Sequence, residues 1–189
     1  HMPSRRQRQM CIRDRNSEVD PNHDAYIDGA KPGDFVNSVT NENYGTELYV
    51  INVHFKEDFV LWRKRESGGG LIGTYGSQSA ALDHLAKEGL KAEDHEIIQT
   101  QSHLLLRKDP ETGELLKTPF LMDFASSKLR VSREWNTQIG QLGGDRFSAL
   151  WKLSSLQTQN RAAQKFYNLN AENQGWVTEE DYEYAKEVY

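Results

Sequence analysis

Cysteine occurs once in this chain, at Cys11, so no disulfide can form within it and a disulfide framework is excluded. That usage fits a reducing compartment. Long apolar runs are missing as well. Nothing approaches the ~20 residues of a membrane span, and no charged start followed by an apolar stretch marks a secretory leader. Several catalytic signatures are also absent. There is no G-x-x-x-x-G-K-[ST] phosphate loop, no H-E-x-x-H zinc helix and no G-x-S-x-G elbow. His23, His54, His84, His95 and His103 have no metal-ligand spacing, and no cysteine joins them. Asp123 with Lys128 lacks the acid–x–lysine core of a metal nuclease. The expectation is a protein that is not an enzyme and carries no metal or cofactor.

What is present begins with a size suited to one domain: 189 residues and a mean hydropathy of −0.78, so much of the chain is surface. Residues 1–15 stand apart. His1-Met2 resembles a cloning scar, and RRQRQMCIRDR resembles translated adapter read-through of the kind found in metagenomic assemblies. Charge is segregated beyond them. Residues 16–60 carry nine acids against Lys31 and Lys56, a balance of −7. Residues 124–170 carry seven cations against Glu134 and Asp145, a balance of +5, and residues 171–189 carry six acids against Lys186, a balance of −5. A basic stretch between acidic ones suggests a binding face.

Periodicity gives the elements. Residues 16–46, with DPNHD, DGAKPGD and NENYG, read as an irregular lead-in. ELYVINVHFKEDFVLWRKR alternates with apolar residues on both faces, which predicts a strand pair turning at KED. SQSAALDHLAKEGL predicts a short helix capped by Ser77 or Ser79. A hairpin is expected around DPETGE. SSKLRVSREWNTQIGQLGG predicts a helix capped by Ser126 or Ser127 and stopped by Gly143-Gly144. FSALWKLSSLQTQN and AAQKFYNLN predict a last strand pair, and TEEDYEYAKEVY an acidic helix or tail. The fold class expected is mainly β (α+β), an OB-like antiparallel Greek-key barrel with one or two short helices. Its domain would run over 47–170, followed by an acidic end at 171–189.

Single-stranded nucleic acid is held by cations that track phosphates and by rings on which bases stack. Trp62 precedes Arg63, Lys64 and Arg65, and then the backbone is bare at Gly68, Gly69 and Gly70. Gly68, Gly70 and Gly73 match G-x-G-x-x-G spacing, but no βαβ unit follows. Trp135 lies near Lys128, Arg130 and Arg133, and Trp151 adjoins Lys152. With Tyr75, these residues form the candidate nucleic-acid surface, the glycines letting a strand approach closely. Each tryptophan taken alone also fits a core position with cations at its rim.

The segments GAKPGDFVNSV, GTELYVINVHFKEDFVLWRKRESGGGLIG and PFLMDFASSKLRVSREWNTQI, in this order, resemble a family of bacteriophage proteins. Its strand ends in V-x-W-x-x-R-x-x-G-G-G, as residues 60–70 do here. By analogy, the outline is similar to single-stranded DNA-binding proteins of lytic short-tailed phages, with an OB core and an acidic tail ending in an aromatic residue. The resemblance implies a DNA-binding protein of replication or recombination, in the cytoplasm of the infected bacterial host. Single-stranded DNA would be its partner, and the acidic end would recruit phage or host replication proteins. A homodimer is compatible with this, and no membrane is involved. The alternative is a phage-encoded protein–protein interaction module, an inhibitor or scaffold, with no affinity for nucleic acid.

Overall fold

The computed structural model describes residues 9–12, 20–22, 24, 26–37 and 39–189. Its strands are β1 (Gln9–Ile12), β2 (Phe35–Asn37), β3 (Glu42–Asn43), β4 (Glu47–Arg63), β5 (Leu71–Tyr75), β6 (His95–Lys108), β7 (Leu115–Ala125), β8 (Ala149–Gln159) and β9 (Lys165–Trp176). The helices are α1 (Gln78–Lys87), α2 (Leu129–Gln141) and α3 (Glu179–Val188). The described strands form one open sheet in the order β3-β2-β1-β7-β6-β4-β8-β9, with β5 also on β4. All pairings are antiparallel except β1 with β7. The mainly β class is as expected. The closed barrel is not: β3 and β9 end the pairing path and do not meet.

The organising element is β4. KED is not a turn, because Lys56, Glu57 and Asp58 continue the ladder with β6, which runs from Tyr49 to Arg63. Both faces of this strand are apolar because each packs against a core, and a β-bulge between Asn52 and His54 changes which residues serve which face. Before it, Leu48 and Val50 join Trp135, Trp151, Phe35 and Phe124 in the core under α2, while Ile51 faces the core under α3. After it the parity reverses, and Phe55 faces His103 on the α2 side. Each face of the sheet thus has its own core. Val53, Leu106, Leu115, Phe147 and Ala185 complete the second.

Local signals fared unevenly. Ser77 caps α1, its Oγ accepting from the Ala80 N–H at 3.1 Å. Neither Ser126 nor Ser127 caps α2. Both lie in a 3-10 turn, and Lys128 takes the cap position without a side-chain bond. The acidic end is not a free tail. Thr178 caps α3 by accepting from the Asp181 N–H at 3.2 Å, Ala185 is fully buried, and Lys108 pairs with Asp181. The segment 16–46 holds β2 and β3, with Phe35 and Val36 fully buried. Gly33 precedes this strand at φ 99°, where a Cβ would lie 2.5 Å from the Tyr167 ring. Gly33→Ala is therefore expected to destabilise by about 1–3 kcal/mol, combining left-handed strain with a clash. A urea midpoint unchanged from wild type would show that Tyr167 yields freely.

Candidate interaction surface at the distal end of the ribbon

The far halves of β4 and β6, with β5 and α1, form a three-stranded end to the sheet. Register sorts the side chains. Phe59 pairs with Tyr75 and Leu61 with Gly73, on the face where Tyr75 meets His84 of α1 at 5.4 Å. Leu61, Ala81 and Leu85 are buried there. Val60 and Trp62 point the other way, opposite Ile98 and Glu96 of β6, and Leu71 of β5 pairs with Trp62. Trp62 is 37% exposed and Leu71 57%. Farther back on this face α3 covers the sheet, and Tyr189 just past its end meets His54 at 5.8 Å between ring centroids. Beyond that contact no described helix lies over the strands.

The glycines close the β4–β5 hairpin. Gly68, Gly69 and Gly70 all have positive φ, at 105°, 66° and 112°, which L side chains rarely adopt. The Gly69 N–H donates to the Lys64 carbonyl and the Arg63 N–H to the Gly70 carbonyl, at 2.9 and 2.8 Å. The triple glycine is a backbone requirement of a bonded turn rather than a loop held loose for a ligand.

The other site residues separate. Trp135 and Trp151 are 0% exposed, so neither ring can stack on a base. They meet edge to face at 5.9 Å in the α2 core. Lys152 pairs with Glu47 at 2.6 Å, which raises its pKa. Arg130 pairs with Glu134 at 2.7 Å, and Arg133 donates to Gln99 Oε1 at 3.0 Å. Lys128 is half-buried at the start of α2. Only Trp62, Arg63, Lys64, Arg65, the glycines and half-buried Tyr75 share one end of the molecule.

Charge that was segregated along the chain is mixed in space there. Lys64 donates from its backbone N–H to the Asp94 carbonyl and from Nζ to the Glu93 carbonyl, at 2.8 and 2.7 Å. Ser67 Oγ donates to Asp94 at 2.8 Å, and Glu96 stands across from Trp62. Glu66, Glu93, Asp94 and Glu96 thus accompany the three cations. Glu66 adjoins the cations in sequence, but the other three acids could not be placed from it, because they lie about thirty residues downstream.

Sequence reasoning also missed a buried polar chain. Arg146 donates to Asn136 Oδ1 at 2.8 Å and to Asn52 Oδ1 at 3.3 Å. Asn52 Nδ2 then faces His103 Nδ1 at 2.8 Å, and His103 Nε2 faces Ser132 Oγ at 2.7 Å. Arg146 fixes the amide so that Asn52 donates to Nδ1, leaving Nε2–H to donate to the serine. Burial, aided by the Arg146 charge, pushes the His103 pKa down to about 3, so the ring is neutral. This Ser–His–Asn set has no access to substrate, and its histidine presents a proton, not a lone pair, to the hydroxyl. It is an element of packing. Among the described residues, no group of three or more His, Cys, Asp or Glu could hold a metal ion, and no helix is long and apolar enough to cross a membrane.

The fold and this surface define a mainly β protein, an open antiparallel sheet with a helix packed on each face and an apolar patch left uncovered at one end. The family described as Pam3 phage gp34-like protein matches residues 11–189, and the chain belongs to that family of bacteriophage proteins. No curated protein and no solved structure matches it.

Proposed function

We propose that this phage protein is an interaction module that holds a partner protein on the uncovered face at the distal end of β4, β5 and β6. One observation carries the reading: Trp62 and Leu71, paired directly across two strands, are both substantially exposed on the same face. Val60 and Ile98 extend the apolar surface, and Glu96 and the Lys56–Asp58 ion pair rim it. An exposed tryptophan with aliphatic neighbours inside a polar rim is the anatomy of a binding hot spot. The module would act in the cytoplasm of the infected host, by binding rather than by catalysis. Immobilised protein would be challenged with a lysate of the infected bacterium beside the double variant Trp62→Ala/Leu71→Ser. A stoichiometric partner is expected on the wild type, bound at least about tenfold more weakly by the variant. Equal retention by both would remove this face from the site.

Single-stranded DNA binding in replication or recombination is the second reading, and a specific observation favours it. The exposed Trp62 ring is followed by Arg63 and Arg65, both exposed and neither in a salt bridge with a described residue. Base stacking on Trp62 would contribute roughly 1–3 kcal/mol. The acidic outer surface of α3 would then recruit replication proteins. A labelled ~30-nucleotide strand is long enough to test this. Tight binding that quenches tryptophan emission and weakens with salt would replace the first reading by the second. With the folded protein, no binding to strand or duplex would end it.

A further inference from the structure

The outer edge of β4 is paired with β8 over Glu47–Ile51 and with β5 over Phe59–Trp62. Between them, residues 52–58 have no described strand beside them on that edge, although β6 occupies the opposite edge throughout. At ~3.3 Å per residue this interruption is roughly 20 Å long. A 3-10 turn, Arg146–Ser148, abuts its start, where Arg146 reaches Asn52 and lies 5.4 Å from the centroid of the Phe55 ring. Among the described residues, the stretch Phe55–Asp58 is left with an open backbone edge inside a sheet that continues on both sides.

Charged residues commonly guard such edges. Here the guard is partly spent, because Lys56 and Asp58 pair with each other at 2.8 Å. Glu57 points to the α2 face, where Gln99 and Gln101 both donate to its Oε2, at 2.8 and 2.6 Å. Its Oε1 receives no hydrogen bond from a described residue. Arg133 is the cation nearest in effect, yet its guanidinium bonds to Gln99. Half-buried Phe55 and Phe59 flank Glu57 two residues away on the same face. An anchored carboxylate with one open oxygen therefore sits between two aromatic rings, beside a free run of backbone donors and acceptors.

We infer that this gap is a docking slot for an extended peptide from a partner, added as a short strand to β4 with a lysine or arginine facing Glu57. Backbone bonds give such strand addition its affinity, and alternate side chains give its specificity. The bound segment places an apolar residue two positions from its cation, against Phe55; at the other end Tyr75 of β5 already stands across from Phe59 and bounds the slot. Because β5 and β8 close the two ends, the slot admits one short strand and cannot seed a growing sheet. The inference is independent of the Trp62 face.

The test is selection of a displayed random library of nine-residue peptides on the whole protein. Wild type is expected to enrich peptides with a lysine or arginine and, on one side, an apolar residue two positions from it. Glu57→Lys should shift the central residue to Asp or Glu and weaken the best wild-type peptide at least tenfold. Glu57→Gln, which can still engage both glutamines, should weaken it severalfold and guards against a misfolded lysine variant. Trp62→Ala/Leu71→Ser should leave that peptide within twofold, so failure of the proposed face and of the slot are told apart. Amides of residues 55–58 should exchange at least tenfold more slowly with the peptide bound. No enrichment by folded wild type would overturn the slot. So would an unchanged consensus with Glu57→Lys, or protection confined to other strands.

Discussion

Trp135→Ala is expected to lower the free energy of unfolding by about 3–5 kcal/mol, the cost typical of truncating a fully buried aromatic ring. Trp135 lies on the inner face of α2 and is 0% exposed. It stacks on His103 with ring centroids 4.8 Å apart and planes inclined by 20°. Phe124 and Trp151 close around it at 6.2 and 5.9 Å. An alanine leaves a cavity that three surrounding rings and a helix cannot collapse to fill. The buried indole N–H has no hydrogen-bond partner among the described residues. Trp135→Phe therefore orphans nothing and should cost less than half as much. Urea midpoints of the two variants and of Trp62→Ala check the assignment. Trp62→Ala should fall within about 0.5 kcal/mol of wild type, as surface changes do. A Trp135→Ala protein as stable as wild type would mean that the ring is not a core element.

Acid should unfold the protein early. His103 has a pKa near 3 in the fold, against 6.5 for a free histidine. The unfolded chain thus binds one more proton than the folded one between those values, and stability falls as pH drops from 6.5 toward 3. A displacement of this size corresponds to a loss on the order of 4 kcal/mol across the window, all of it absent above pH 7. The cause is geometric. The ring is buried, so an added charge would be desolvated and would lie near Arg146, and a proton on Nδ1 would face the Asn52 amide donor. Glu57 also has a lowered pKa, through bonds from Gln101 and then Gln99, but it is exposed and acts only below about pH 4.5. Unfolding followed from pH 7 to 4 should show the steep slope in wild type and a shallower one in His103→Gln. Stability independent of pH over that range would contradict a buried neutral ring.

Much of the architecture was legible because its signals are local. The hairpin at DPETGE formed as Pro110 and Gly113 suggested, and α1 starts at its serine cap. KED misled because three successive charges mark a turn only when the chain cannot use them in register. Here each one pairs with β6. The candidate surface was less legible for the same reason that charge segregation was misleading. Arg63, Lys64 and Arg65 are contiguous, but the Glu93–Asp94 turn that balances them arrives by tertiary contact. Tryptophan beside cations describes a stacking site and a core rim equally well, and α2 decides the matter by burying every third or fourth residue. His103 reads from the sequence as a strand histidine rather than a ligand, but its partners could not be read there, since they come from β4, α2 and the turn before β8.

The bulge in β4 works as a phase shift. Upstream, even-numbered residues serve the α2 core; downstream, odd-numbered residues do. The strand is therefore two alternating messages spliced out of step, each sensible alone and unreadable as one pattern. Replacement of either half by a segment of equal length keeps both messages intact. Loss of a single residue at the splice would turn the whole distal half over, sending Trp62 toward α1 and Leu61 into solvent. The face that Trp62 exposes is thus set by where one extra residue sits, some ten positions away from it.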